Sequence, residues 1–133
     1  MWNFNDSKDF VLIHHFKVPS IFTYGEKKDP SKREEIRKIA LKNFPEKSPK
    51  CKWYAFYIEV ERNPLKRPLD IENVPKLIVD AFSSKQIEKD KSHYSKTGLY
   101  TDDDLKHVRA VQIEGRFSDN GSDNTEVWIF GKT

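Results

Sequence analysis

Hydrophobic and polar positions alternate most regularly between Trp53 and Glu61, where Phe56, Ile58 and Val60 are separated by Tyr57, Glu59 and Glu61. A period of two puts the two sets on opposite faces, so this segment predicts a β-strand with one wet face. An earlier strand is predicted from about Asp9 to Val18, with Pro19 and the turn-prone Tyr24-Gly25-Glu26 marking its exit. Between these strands the period lengthens. Asp29-Pro30 and the spacing Ser31-x-x-Glu34 predict a helix opened by a capping box, running from about Ser31 to Phe44. Ile36, Ile39, Ala40 and Phe44 fall on one of its faces, and Pro45 stops it.

Pro64 and Pro68 make the next segment an extended connector. A second helix is predicted from about Glu72 to Ser84 or a little beyond, with Val74, Leu77, Ile78, Ala81 and Phe82 in a buried stripe and Glu72, Lys76 and Asp80 on another face. Pro75 falls in its first turn, where backbone N–H groups lack intrahelical partners anyway. The stretch from Ser83 to Gly98 is polar and rich in Lys and Ser, and reads as the tail of that helix followed by a mobile loop, an idle surface insertion rather than a substrate-facing flap. A closing hairpin is expected, with strands near Lys106 to Phe117 and Thr125 to Gly131 around the turn Ser118 to Asn124. These elements predict one small domain over residues 1–133, of mixed α/β (α+β) class, with a mixed sheet and two main helices.

Composition supports a folded chain. At 133 residues it can bury one core without metal or disulfide staples, and nine Phe, five Tyr and three Trp supply bulky material for it. Cys51 is the single cysteine, which excludes an intramolecular disulfide and makes a cytosolic location the expectation. The N-terminal stretch lacks a signal-peptide pattern, and the longest apolar runs, Phe10 to Ile13 and Val127 to Phe130, are far too short to span a bilayer. The net charge of +3 is too small to identify a nucleic-acid binder. Its distribution says more: Lys27, Lys28, Lys32 and Arg33 form one basic stretch, and Lys47, Lys50, Lys52, Lys66 and Arg67 flank the central strand, so either set could oppose phosphates.

Two acidic groups carry the candidate chemistry, Asp70-Ile-Glu72-Asn73-Val-Pro-Lys76-Leu-Ile-Val-Asp80 and Asp102-Asp103-Asp104. Mg²⁺ selects hard oxygen donors and needs neither histidine nor thiolate, so carboxylates alone can make its site. At about 1.5 Å rise per residue Glu72 and Asp80 lie about 12 Å apart along the helix, too far to share an ion, whereas Asp80 can pair with Lys76 one turn away and fix its direction. Asp70 and Glu72 sit at the helix mouth, and Asp102 or Asp103 would complete the set if the fold brings the second group alongside. Taken separately, each part has a structural account: Asp70 as a cap, Glu72-Lys76-Asp80 as an exposed salt-bridge row, the Asp run as a solvated turn. His14 and His15, adjacent on a strand, point to opposite faces and read as structural, and His107 could reach the acids only as an outer partner.

The ordered combination resembles the RusA family of Holliday junction resolvases, whose pattern has Asp-x-Asp-Asn, a lysine four residues after the second acid, an aspartate four further on and a later Asp-Asp pair. In this chain it reads Asp70-Ile-Glu72-Asn73, Lys76, Asp80 and Gly98-Leu-Tyr-Thr-Asp102-Asp103-Asp104, chiefly within residues 66 to 113. The resemblance implies a small mixed α/β fold and a homodimer that acts on branched DNA, cutting four-way junctions in strands of like polarity. It implies that Asp70, Glu72 and Asp103 bind Mg²⁺, or Mn²⁺ in its place, for attack of an activated water on the phosphodiester. Lys76 would support the reaction, and Lys66 and Arg67 would contact DNA. Glu72 stands where the family commonly has aspartate. Two other readings compete: a branched-DNA-binding module whose active site has lapsed, and a protein-interaction domain.

Overall fold

The apolar alternation becomes a four-stranded sheet in the computed structural model, which describes residues 9–25, 27–44 and 51–133. Strands β1 (Phe10–Val18), β2 (Trp53–Arg62), β3 (Val108–Phe117) and β4 (Asn124–Lys132) are joined by helices α1 (Asp29–Leu41), α2 (Asn73–Ala81) and α3 (Ser84–Lys89), with a 3₁₀ turn at Ser95–Thr97. The sheet order is β1-β4-β2-β3, with β4 antiparallel to both neighbours and β2 parallel to β3. This is a mixed α+β fold. Pro45, Lys47, Lys50, Glu26 and the N-terminal segment, which entered the sequence reading, lie outside the described residues.

The expected closing hairpin does not form. β3 and β4 follow one another in the chain but lie on either side of β2, and the 118–123 connection steps over the end of that strand. Burial explains the order. Tyr54, Ala55, Phe56, Ile58 and Val60 of β2 and Val127, Ile129 and Phe130 of β4 are all buried and suit central strands. β3 is half polar, is exposed along most of its length and suits an edge. Alternation reveals which face of a strand is wet but not which strand lies beside it.

The helices cover one face of the sheet. Ile36 and Ala40 of α1 and the predicted α2 stripe of Val74, Leu77, Ile78, Ala81 and Phe82 close over Phe16, Phe56, Ile58, Val127 and Ile129. α1 starts earlier than predicted and has no capping box: Ser31 Oγ donates to the Lys28 carbonyl, and Glu34 turns to Ser92 and His93. α2 ends at Ala81, and the segment expected to be a loop folds instead as α3, whose N-cap Ser83 accepts a hydrogen bond from the Gln86 N–H at 3.3 Å. No helix among the described residues is long and apolar enough to cross a membrane.

A buried ionic knot fixes α3. Asp90 accepts hydrogen bonds from Arg33 at 2.7 and 2.9 Å, from Arg37 at 3.0 Å and from Gln86 at 2.8 Å. Arg37 Nε also donates to the Ala81 carbonyl at the end of α2. Arg33, expected to belong to a phosphate-facing basic stretch, is instead buried and committed to Asp90. Burial opposes the charge of Asp90, but the hydrogen bonds from Arg33, Gln86 and Arg37 outweigh it and hold the carboxyl below its ordinary range.

His14 and His15 face opposite ways as predicted. His15 stacks on Trp128 and pairs with Glu126, while His14 is buried among Phe16, Phe44 and Phe82. Burial, the first of its causes, lowers the His14 pKa from 6.5 to about 4. The unfolded chain therefore takes up a proton in that window which the folded chain excludes, so stability falls as pH drops through it and recovers as pH rises. At about 1.4 kcal/mol per unit the loss across the window is about 3 kcal/mol. Urea unfolding at pH 4 to 7 should show a shallower pH dependence in His14→Leu than in the unaltered protein by this amount; parallel profiles would refute it.

Candidate active site

Local chain chemistry sets the start of α2. Asp70 Oδ1 accepts from the Glu72 N–H at 3.1 Å and its carbonyl accepts from the Asn73 N–H at 3.2 Å, a turn that leads the chain into the helix. Asp70 and Glu72 are both exposed there. One turn on, Lys76 Nζ donates to Asp80 Oδ1 at 2.9 Å, the i, i+4 pairing expected of that face, and to Asp103 Oδ2 at 2.8 Å.

Asp103 reaches Lys76 because the two ends of the 83–98 segment are zipped together. The Leu99 N–H donates to the Phe82 carbonyl, the Ser84 N–H to Tyr100 and the Lys85 N–H to Thr101, with Ser83 and Tyr100 forming an isolated parallel bridge. The Tyr100 ring is buried against Tyr54 and Phe56, and its hydroxyl donates to the Val79 carbonyl. The second acidic group is thereby anchored in the core and brought beside α2.

The three consecutive aspartates take different directions. Asp103 meets Lys76, and Asp102 lies 3.6 Å from the Lys85 ammonium. Asp104 accepts from the Lys106 N–H and pairs with His107 Nδ1 at 2.9 Å, shaping the entry to β3. His107 therefore acts on Asp104 and stacks on Tyr100.

Asp80 is the residue the sequence reading undervalued. It was assigned only to Lys76, yet it is buried and also faces Asp103 within hydrogen-bond reach. Burial, and then Asp103, push the Asp80 carboxyl up to about 6 against the pull of Lys76. The hydrogen bond with Asp80, opposed by burial and reinforced by Lys76, holds Asp103 well below the ordinary carboxylate range. Burial works against the Lys76 charge, but its bonds to Asp103 and Asp80 prevail and raise its pKa. Two like-charged carboxyl groups this close need a proton or a cation between them, and the Lys76 ammonium is that cation here.

Two cavities open beside this pair, of about 560 and 670 Å³, and both are lined by Asp80, Gln86 and Lys89. The donor chemistry fits Mg²⁺, which takes one or two protein carboxylates and completes its shell with water and phosphate oxygens. Of the acids that the resemblance assigns, Asp103 lies in the Lys76 group, while Asp70 and Glu72 stand exposed at the start of the same helix, outside it. Among the described residues no three His, Cys, Asp or Glu side chains are grouped closely enough to hold an ion as a set. Lys66, one of the two residues expected at DNA, is exposed and lies 3.1 Å from Asp123, and the carbonyl of the other, Arg67, accepts from Arg62. Comparison of the chain with family models and with curated proteins finds no match to either.

Proposed function

We propose that the protein is a Mg²⁺-dependent endodeoxyribonuclease that resolves four-way DNA junctions, as the resemblance to the RusA family implies. The observation that carries the reading is the meeting of Lys76 with Asp80 and Asp103, residues 23 apart in sequence at the acids. The motif needs its later aspartates beside the α2 lysine, and a 16-residue polar segment separates the two halves without parting them. In this reading Asp70, Glu72 and Asp103 would hold the ion, as the resemblance implies, by drawing the exposed start of α2 and Asp103 together around it, and Asp80 positions Lys76. Bound there, Mg²⁺ would supply the charge that activates water and offsets the negative phosphodiester. Lys76 shifts from its neighbouring carboxylates toward the phosphate and steadies charge that develops on it. The cytosolic location expected from the single cysteine accords with such a role.

A homodimer would present two such sites to one junction. Leu12 of β1, 53 % exposed, is an apolar side chain that such a pairing would cover.

The test is incubation of the purified protein with a labelled four-way junction and a linear duplex of matching sequence, with Mg²⁺ or with chelator. Symmetric cuts confined to the junction and dependent on metal, from a protein that sediments at about twice its 15.7 kDa chain mass, are the expected result. A folded protein that binds the junction but cuts with neither Mg²⁺ nor Mn²⁺ would make it the non-cleaving binding module instead. Absence of both binding and cutting would favour the protein-interaction domain.

A further inference from the structure

α3 is too firmly built for an idle insertion. Ile87 is buried, Ser83 caps the first turn, and Asp90 just beyond the last turn is gripped by two arginines of α1. The turn after it is pinned as well, with Glu34 accepting from Ser92 Oγ and the His93 N–H. A segment held on its inner side by this many polar contacts presents a fixed outer side. That outer side carries Lys85, Lys89 and Lys91, together with Glu88.

These lysines line the same 560 Å³ cavity as Asp80, Asp102 and Asp103. Lys85 is 75 % exposed and only 3.6 Å from Asp102, and Lys89 also lines the second cavity beside Lys76 and Asp80. The result is an acidic floor with a cationic rim on a rigid support. An acidic peptide would meet repulsion from the floor. A nucleic-acid backbone carries regularly spaced phosphates that can lie along the lysine rim, clear of the floor.

We propose that α3 and the turn after it form a backbone clamp in which Lys85, Lys89 and Lys91 bind the phosphates next to the one at the Lys76 site. The clamp rests on the nuclease reading above and assigns DNA contact to residues to which the family resemblance gives no role. Lys85 and Lys89 stand one helical turn apart, about 6 Å along the axis, so both can serve a single strand crossing the cavity.

The experiment measures binding of a labelled four-way junction, in chelator, between 50 and 200 mM salt. Each duplex phosphate contact contributes about 0.9 to the slope of log affinity against log salt. The triple variant Lys85→Gln, Lys89→Gln, Lys91→Gln should therefore lose about 2 to 3 of that slope and bind at least tenfold more weakly at the upper salt. Lys38→Gln with Lys42→Gln, exposed lysines of α1 and the position after it, should leave the slope unchanged. A triple variant that keeps the parent slope overturns the clamp while leaving the nuclease reading standing if the parent protein cuts. A parent protein without DNA affinity removes both. Should the triple variant melt early, Lys89→Gln alone, with an expected loss of about one, decides the matter.

Discussion

Asp90→Ala is expected to lower the free energy of unfolding by about 3–5 kcal/mol, the scale on which breaking a buried ion pair leaves charge uncompensated. The side chains of Asp90, Arg33 and Arg37 are 5, 8 and 0 % exposed, so water cannot replace what the carboxylate supplies. Arg37 retains the Ala81 carbonyl and Glu34, but Arg33 loses both its short bonds at once. Asp90→Asn keeps an acceptor without the charge and should lose less. Urea unfolding of the two variants tests this, and a loss under about 1 kcal/mol for Asp90→Ala would show that water or rearrangement satisfies the arginines. The consequence reaches the site, because α3 stands between the knot and the strand-like pairing that carries Asp103 to Lys76.

The same knot shows where sequence reading stops. The α2 stripe, the inward set of β2 and the opposed histidines were all legible, because each depends on the period of one element alone. The sheet order was not, because β3 and β4 each alternate acceptably and only the greater burial of β2 and β4 decides which strands lie inside. Capping spacings misled in a similar way. Ser31-x-x-Glu34 forms no box since Glu34 has partners across the fold, whereas Ser83-x-x-Gln86, the same spacing, opens α3 in the segment read as loop. Had Ser83-x-x-Gln86 been weighed with the apolar Ile87, the helix could have been found. Nothing local in Arg33 or Arg37 announces Asp90, which lies more than fifty residues away.

At the site the same division holds. Asp80 beside Lys76 follows from helical spacing, but the approach of Asp103 depends on Tyr100 being buried and on backbone bonds to Phe82, Ser84 and Lys85. Helical spacing therefore reaches the Lys76–Asp80 pair but not the contact of Lys76 with Asp103, which only the fold creates.

Asp103→Asn should abolish metal-dependent junction cutting, with a fall of more than about 100-fold, the upper range already seen when only an outer partner of a metal ligand is removed. The amide keeps the shape of the carboxylate and its oxygen can still accept from Lys76, so the fold has little reason to change. Removing the charge also relieves the facing Asp80, whose carboxyl is pushed up to about 6 partly by Asp103. Asp70→Asn should show the same pattern, since asparagine can still accept the Glu72 N–H that shapes the start of α2. Single-turnover cutting across a Mg²⁺ titration, read beside thermal melts, separates the cases. Lost cutting with an unchanged melt fits carboxylates that serve the reaction, and an equal fall in both would make them struts of the fold. Asp103→Asn cutting at the parent rate would remove Asp103 from the chemistry. Because Asp70 and Asp103 arrive from different segments, concordant losses in the two variants would also argue that both halves of the motif serve one centre.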